Sequence, residues 1–290
     1  MIGAAIILAF EKNILPHIAF QGEAGAYSER AAKEFFREHE IATIPCRTFG
    51  ETFAAVHDDK VVAAVVPIEN SLAGSVHQNY DLLLKHELHI TGEIFLRISH
   101  QLMALPATKW EQVRRVYSHP QALEQCREFL EKSAALEIVP AYDTAGSAKL
   151  LVENQSHDAA AIASEWAAEK YGLNILHRAI ESNPKNFTRF LVLEKSAKTP
   201  VENGKTSIVF SVPHTPGSLF KALAIFALRD INLLKIESRP LHGSPWEYVF
   251  YLDFEGTPRL SHCEKALEHL DEIAAFRRVL GAYEKGRVVE

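Results

Sequence analysis

Residues 183–195, NPKNFTRFLVLEK, set Asn186, Thr188 and Arg189 beside two phenylalanines at the mouth of a strand-like apolar run. Arg189 can hold a carboxylate bidentately, Asn186 can donate its amide, and Thr188 offers a hydroxyl that donates a proton or a hydrogen bond. Phe187 and Phe190 would wall these groups with apolar surface, excluding water and strengthening each polar contact. The combination suits a small carboxylate held beside a hydroxyl that can donate a hydrogen bond. It would equally suit an exposed Thr-Arg pair on an edge strand with both rings in the core.

Three earlier loops place polar groups where apolar runs end. GEAGAYS (22–28) follows the run HIAF (17–20), with Gly22 and Gly25 allowing close backbone approach and Ser28 expected as a helix N-cap. An anion docks well at a helix start, but the chain has no G-K-[ST] and no G-x-G-x-x-G, so a nucleotide is not the expected ligand. In VPIENSLAGSV (66–76), Glu69, Asn70 and Ser71 follow the run VVAAVVPI (61–68). In SHPQALEQC (118–126), Ser118, His119 and Gln121 occupy a strand–helix junction. Ligands of parallel α/β sheets sit beyond the carboxyl ends of strands, where these three loops fall. Singly, each also reads as a capped turn with a solvated rim.

Composition narrows the classes. A net charge of -6 and no dense basic stripe argue against a nucleic-acid partner. Cys46, Cys126 and Cys263 are odd in number and far apart, so a reducing compartment is expected and a disulfide framework is not. The 14 histidines form no H-x-x-x-H or H-E-x-x-H, and no metal is expected. The opening MIGAAIILAF is too short to span a bilayer and lacks the flanks of a signal peptide, so no membrane role is expected.

The elements that must position these residues alternate. Apolar runs at 17–20, 61–68, 114–118, 135–141 and 158–164 are each followed by an amphipathic segment, which predicts a parallel α/β architecture. Within it, a helix is expected over roughly 76–85 and another over about 120–131. The β-like run 90–105 is expected to cross between two lobes, and 187–195 to return, giving a hinged domain with its ligand in the cleft. An extension over 1–16 precedes this domain, which spans 17–197. A polar linker over 198–204 follows, and 205–285 then reads as strand, helix, strand, strand, helix, strand, the split ferredoxin-like order. Its second helix shows 3-4-3 spacing in Cys263, Ala266, Leu267, Leu270 and Ala274.

Together GEAGAYS, VPIENSLAGSV, SHPQALEQC, NFTRF (186–190) and ESRP (237–240) resemble the prephenate dehydratase family, over about residues 17 to 285. The resemblance implies an α/β fold: a two-lobed catalytic domain similar to type II periplasmic-binding proteins, then a βαββαβ ACT regulatory domain. It implies a cofactor-free, metal-free hydro-lyase that removes CO2 and the ring hydroxyl of prephenate to give phenylpyruvate, in phenylalanine biosynthesis. Thr188 would then donate to the leaving hydroxyl, Arg189 would grip a substrate carboxylate, and Phe190 would pack the motif. Asn70, Ser71, Ser118, Gln121 and Asn186 would orient substrate, with Glu69 supporting them and His119 tuning the network.

The resemblance also makes L-phenylalanine an allosteric effector. It would bind between His214, Pro216, Gly217, Ser218 and Leu219 on one side and Glu237, Ser238, Arg239 and Pro240 on the other. The family's Gly-Ala-Leu-Val loop is Gly217-Ser218-Leu219-Phe220 here, and the larger Phe220 bears on effector selectivity. A homodimer or homotetramer is implied, since ACT domains pair. Arogenate dehydratase is the near alternative, its substrate differing only by an amino group in place of the side-chain keto group. From another class, a non-catalytic amino-acid-sensing protein would need an output module, and no helix-turn-helix or basic patch is present. With no transit-like leader recognised, a cytoplasmic enzyme is expected.

Overall fold

The computed structural model describes residues 15–132, 136–199, 203–241, 243 and 246–290. Most of the expected extension over 1–16, and residues 200–202 of the expected linker, lie outside them. Runs of alanine and β-branched residues, buried on both faces, form the central strands. The first lobe comprises β1 (His17–Gln21), α1 (Tyr27–Phe35), β2 (Ala42–Cys46), α2 (Phe49–His57), β3 (Ala63–Asn70), β4 (Gly74–Ser75), α3 (His77–Lys85) and β5 (His89–Arg97). β1 lies between β2 and β3, parallel to both.

Residues 98–100 lead into a second lobe. It holds β6 (Gln101–Ala104), β7 (Arg115–Ser118), α4 (Pro120–Gln125), α5 (Arg127–Leu130), β8 (Glu137–Pro140), α6 (Thr144–Glu153), β9 (Ala159–Ala163), α7 (Glu165–Tyr171) and β10 (Asn174–His177). The chain returns as β11 (Phe187–Glu194) between β3 and β5. The run 90–105 is therefore two strands in two sheets, and the helix expected over 120–131 is two short ones broken at Cys126. The sheets are mixed rather than wholly parallel: β11 is antiparallel to both neighbours, and β6 is antiparallel to β9 and β10. The lobes touch where the Ser164 hydroxyl donates to the Gly25 carbonyl at 2.6 Å. Gly25 has φ +90°, and a Cβ there would fall 2.7 Å from Ala167 Cα, so this approach requires glycine.

The second domain runs β12 (Gly204–Ser211), α8 (Ser218–Ala227), β13 (Leu233–Pro240), β14 (Tyr248–Glu255), α9 (Ser261–Ile273) and β15 (Phe276–Glu284), with antiparallel order β13-β14-β12-β15. Strand alternation splits its sheet. Ile208, Phe210, Leu252 and Phe254 pack under α8 and α9, against Cys263, Ala266, Leu267 and Leu270. The opposite face carries Val209, Val249, Tyr251, Leu280 and Tyr283 into one core with Val66, Ile68, Tyr80, Ile90 and Leu191 of the first lobe. At Gly281 a Cβ would lie 2.0 Å from the Ile90 carbonyl oxygen, so β15 approaches β5 closer than any side chain permits. The chain then ends its described course as β16 (Arg287–Val289), which pairs in parallel with β5 at the edge of the first lobe's sheet. Among the described residues no helix is long and apolar enough to cross a membrane.

A charged cluster is sealed between this domain and the first lobe. Arg189 Nε meets Glu93 at 2.7 Å and Arg189 Nη1 meets Asp253 at 2.7 Å, while Lys205 Nζ lies 2.9 Å from Glu93 and 3.3 Å from Asp253. The Tyr283 hydroxyl accepts from Arg189 Nη2 at 3.1 Å. Burial would push the Asp253 carboxyl up, but the Arg189 and Lys205 charges outweigh it and hold Asp253 below the ordinary carboxylate range. A depressed folded-state pKa contributes stability above the unfolded value, about 4, that is lost as pH falls through the folded one. Asp253→Asn is thus expected to flatten the acid limb of stability. Urea midpoints for both proteins, followed from about pH 6 down to about pH 3, check this; a gap between them that does not narrow in acid contradicts it.

Candidate active site

β11 fixes the site through strand alternation. Thr188 and Phe190 face a cavity of about 360 Å³ between the lobes, whereas Arg189 points through the opposite face of the sheet to Glu93 and Asp253. The cavity is met by the first residues of α1, Tyr27 and Ser28, by Thr144 at the start of α6, and by Val76 at the N-cap of α3. These helix starts present N–H groups and the positive ends of helix dipoles, a setting for carboxylates. Among the described lining residues there is no lysine or arginine, and Asp143 is the one carboxylate.

A directed chain of amides sets the Thr188 hydroxyl. The backbone N–H groups of Leu72 and Ala73 donate to Asn70 Oδ1 at 3.0 and 2.9 Å, which fixes that amide's orientation. Asn70 Nδ2 must then donate, and it reaches Thr188 Oγ1 at 2.9 Å and Asn186 Oδ1 at 2.7 Å. Because Thr188 Oγ1 accepts from Asn70, its own proton is free for a group in the cavity. Asn186 Nδ2 donates to Gln125 Oε1 at 3.0 Å, and the same oxygen meets His100 Nε2 at 2.9 Å, so that nitrogen carries a proton. His100 Nδ1 is left facing the Tyr27 hydroxyl at 3.0 Å. Burial holds His100 below its usual range, against the opposing Gln125 bond and Glu181 charge, which keeps it neutral near pH 7.

Of the residues anticipated from sequence, Asn70, His119, Gln121, Thr188 and Phe190 line the cavity, and Asn186 lies directly behind the Asn70–Thr188 pair. His119 caps α4, its Nδ1 accepting from Gln121 N at 3.2 Å, and burial lowers its pKa against the pull of Asp143. Ser118 is fully buried and donates to the Ile162 carbonyl at 2.6 Å, and Ser71 bridges to β11 by accepting from Phe187 N at 2.9 Å. Glu69 turns away to Lys235 of the second domain, 2.9 Å distant. Ser28 is not the N-cap of α1, which starts after Ala26; there the Glu29 carboxylate accepts from Gly25 N at 2.6 Å.

Arg189 departs furthest from expectation. It does not reach the cavity, because neighbouring residues of one strand cannot share a face.

Sequence reading missed Tyr27, His100, Gln125 and Asp143. Tyr27 read as a helix-face residue, His100 sat inside an apolar run, and Gln125 matched no signal beyond helical spacing. Asp143 precedes TAGSA as a helix cap would: its Oδ1 accepts from Ala145 N at 2.9 Å, while Oδ2 accepts from Glu23 N at 3.1 Å. Burial nevertheless raises its carboxyl above the ordinary range, outweighing those bonds.

The anticipated effector residues divide into two groups. Ser211 and Arg239 both pair with Val249, so the loop carrying His214, Pro216, Gly217, Ser218 and Leu219 lies at the same end of the sheet as Pro240. Along β13, however, Glu237 and Arg239 face the first lobe. Glu237 accepts from the Ser75 hydroxyl at 2.6 Å, and Arg239 grips Asp81 at 3.2 and 2.9 Å. Ser238 and Pro240 stay open on the other side.

Comparison with known proteins places the two parts. Residues 18–198 match the prephenate dehydratase family and residues 206–272 match the ACT domain. The chain is 50% identical over 278 residues to arogenate dehydratase/prephenate dehydratase 2, chloroplastic, of Arabidopsis thaliana, covering 92% of this chain and 72% of that protein. The prephenate dehydratase of Arthrobacter aurescens, solved in complex with L-Phe, superposes with a TM-score of 0.85 at 32% identity, covering 93% of this chain and 90% of that one. A protein described as a novel type of quorum quenching acylase also superposes with a TM-score of 0.85, at 36% identity over 93% of this chain and 98% of that one. The expectation of a cytoplasmic enzyme is overturned: relatives from Arabidopsis are named chloroplastic, pointing to a plastid rather than the cytosol. Cysteine usage reports redox state and not address, so it could not separate the two.

Proposed function

The chain belongs to the prephenate dehydratase family and is a hydro-lyase, and from that premise we propose that it converts prephenate to phenylpyruvate in phenylalanine biosynthesis. The observation that carries this reading is the Asn70–Thr188 pair, which leaves one hydroxyl proton directed at a cavity ringed by helix N-termini. In the step proposed, the bond from the ring to its carboxylate breaks and CO2 departs. The electron pair enters the ring and expels the ring hydroxyl, whose developing negative charge the Thr188 hydrogen bond stabilises, and a proton from solvent completes the departing water. Aromatisation supplies the driving force, so orientation of the dianion and stabilisation of the departing oxygen are what the protein adds. His119 and Gln121 orient the substrate, Asn70 and Asn186 set the Thr188 hydroxyl from behind, and Ser71 and Ser118 hold the loops that bear them.

Arogenate is the second reading, and a specific observation favours it. Asp143 is a carboxylate in a wall without lysine or arginine, suited to the ammonium group by which arogenate differs from prephenate. Phenylpyruvate formation from prephenate and phenylalanine formation from arogenate, measured on wild type and Asp143→Asn, test both. Asparagine keeps the helix cap. Loss of one charge-assisted contact is expected to lower kcat/KM for arogenate about ten-fold while that for prephenate holds or rises. An enzyme that turns over neither substrate contradicts the function, and equal losses on both contradict the assignment of Asp143.

Phenylalanine is proposed as the effector, supported by the L-Phe complex of the Arthrobacter relative. A homodimer or homotetramer is proposed as well. Its support is the outer strand β13, which presents exposed Leu234 and Ile236, together with Phe220 on α8 and Leu228 at its C-cap, exposed by 75% and 82%.

A further inference from the structure

Thr188 pairs in register with Asn70, and the next residue, Arg189, with Glu69. The first pair faces the cavity and the second faces the ACT domain, so the two surfaces are separated by a single sheet. Each reverse-face side chain ends on an opposite charge from the ACT domain: Arg189 on Asp253 at 2.7 Å and Glu69 on Lys235 at 2.9 Å. Tyr80 of α3 fills the space between the two contacts. Lys235 Nζ stands 5.8 Å from the centre of its ring, and Tyr251 meets that ring edge-on at 4.8 Å. Glu237 extends the same line to Ser75, close to the backbone amides of Leu72 and Ala73 that orient Asn70.

We propose that Asp253 and Lys235 are positioning residues of the active site, holding the Thr188–Asn70 pair from the reverse face of its sheet. Any displacement of β13 and β14 pulls directly on Glu69 and Arg189, and each of these is covalently adjacent to a residue of the pair. The Thr188 hydroxyl therefore registers the position of the ACT domain through one peptide unit, without a relay of side chains across the lobe. The effector arm of this inference rests on the proposed phenylalanine reading; the positioning arm does not.

The test compares full-length wild type with Lys235→Met, Lys235→Arg and Asp253→Asn. Lys235→Met is the milder change, since Glu69 retains solvent contact. Hydrogen exchange of the segment 186–190, read by mass spectrometry, is expected to quicken in Lys235→Met and Asp253→Asn and to return to wild type in Lys235→Arg. In steady-state kinetics both disruptive variants should lose about ten-fold in kcat with KM within about two-fold, and the fractional inhibition by saturating phenylalanine should shrink while calorimetry shows phenylalanine still bound. Unchanged exchange at 186–190 in folded Lys235→Met overturns the proposal, as does a rise in KM at constant kcat. A wild type that phenylalanine does not inhibit removes the effector reading alone, because exchange and the kcat split still decide the positioning role.

Discussion

Replacing Thr188 by valine is expected to cut kcat by about two to four orders of magnitude with KM changed only a few-fold, the scale of a positioned donor acting on the leaving group. Valine keeps the shape but removes the hydroxyl proton that the amide chain turns toward the cavity. It also removes one of three acceptors from Asn70 Nδ2, which keeps Asn186 Oδ1 and the Phe187 carbonyl at 3.3 Å, so stability is expected to fall by only about 1 kcal/mol. Serine separates the two effects. Thr188→Ser keeps the oxygen at the end of the Asn70 bond and should retain most of the turnover. Stopped assays of product formation on the two variants, with circular dichroism to verify folding, give the comparison. A valine enzyme with wild-type kcat would remove Thr188 from the chemistry and return the question to His100 and Tyr27.

The largest effect on stability is expected at Arg189. Arg189→Met leaves Glu93 and Asp253 buried against Lys205 alone, and removing one partner of a buried ion cluster costs about 3–5 kcal/mol. Urea denaturation at neutral pH should show this as a large drop in midpoint. The sign of a second experiment follows from the same physics. Adding Glu93→Gln and Asp253→Asn to Arg189→Met neutralises the stranded carboxylates and should recover part of the loss. Had Arg189 gripped a substrate carboxylate, the single variant would fold as well as wild type and fail only in KM.

The contrast between Thr188 and Arg189 marks how far sequence reading reached. Asn70, Thr188 and Phe190 were legible as a constellation only because five motifs in order resembled one family; singly, each loop read equally well as a capped turn. The split βαββαβ order was legible from the 3-4-3 spacing over 263–274 and the linker before it. The facing of Arg189 was in principle readable too, since period-two alternation places it opposite Thr188, but chemical aptitude for carboxylates outweighed geometry. His100 and Gln125 were not readable. Their role depends on which lobe each side of the crossing at 98–100 joins, and that depends on pairing between strands far apart in sequence. The antiparallel insertion of β11 was hidden for the same reason: its apolar run looks identical in either direction.

β16 ties the edge of the first lobe's sheet to the ACT domain. The strand covers the outer edge of β5, placing Arg287, Val288 and Val289 opposite Ile94, Phe95 and Leu96. β5 is thus flanked on one side by β11, which leads toward the ACT domain, and on the other by the strand that emerges from it. A chain truncated before the ACT domain would lose that outer strand with it, and β5 would present unpaired backbone groups beside apolar side chains, the template on which sheets of separate molecules join. The proposed effector reading is therefore better tested by point substitution on β13, which leaves the edge covered, than by truncation, which exposes it to self-association.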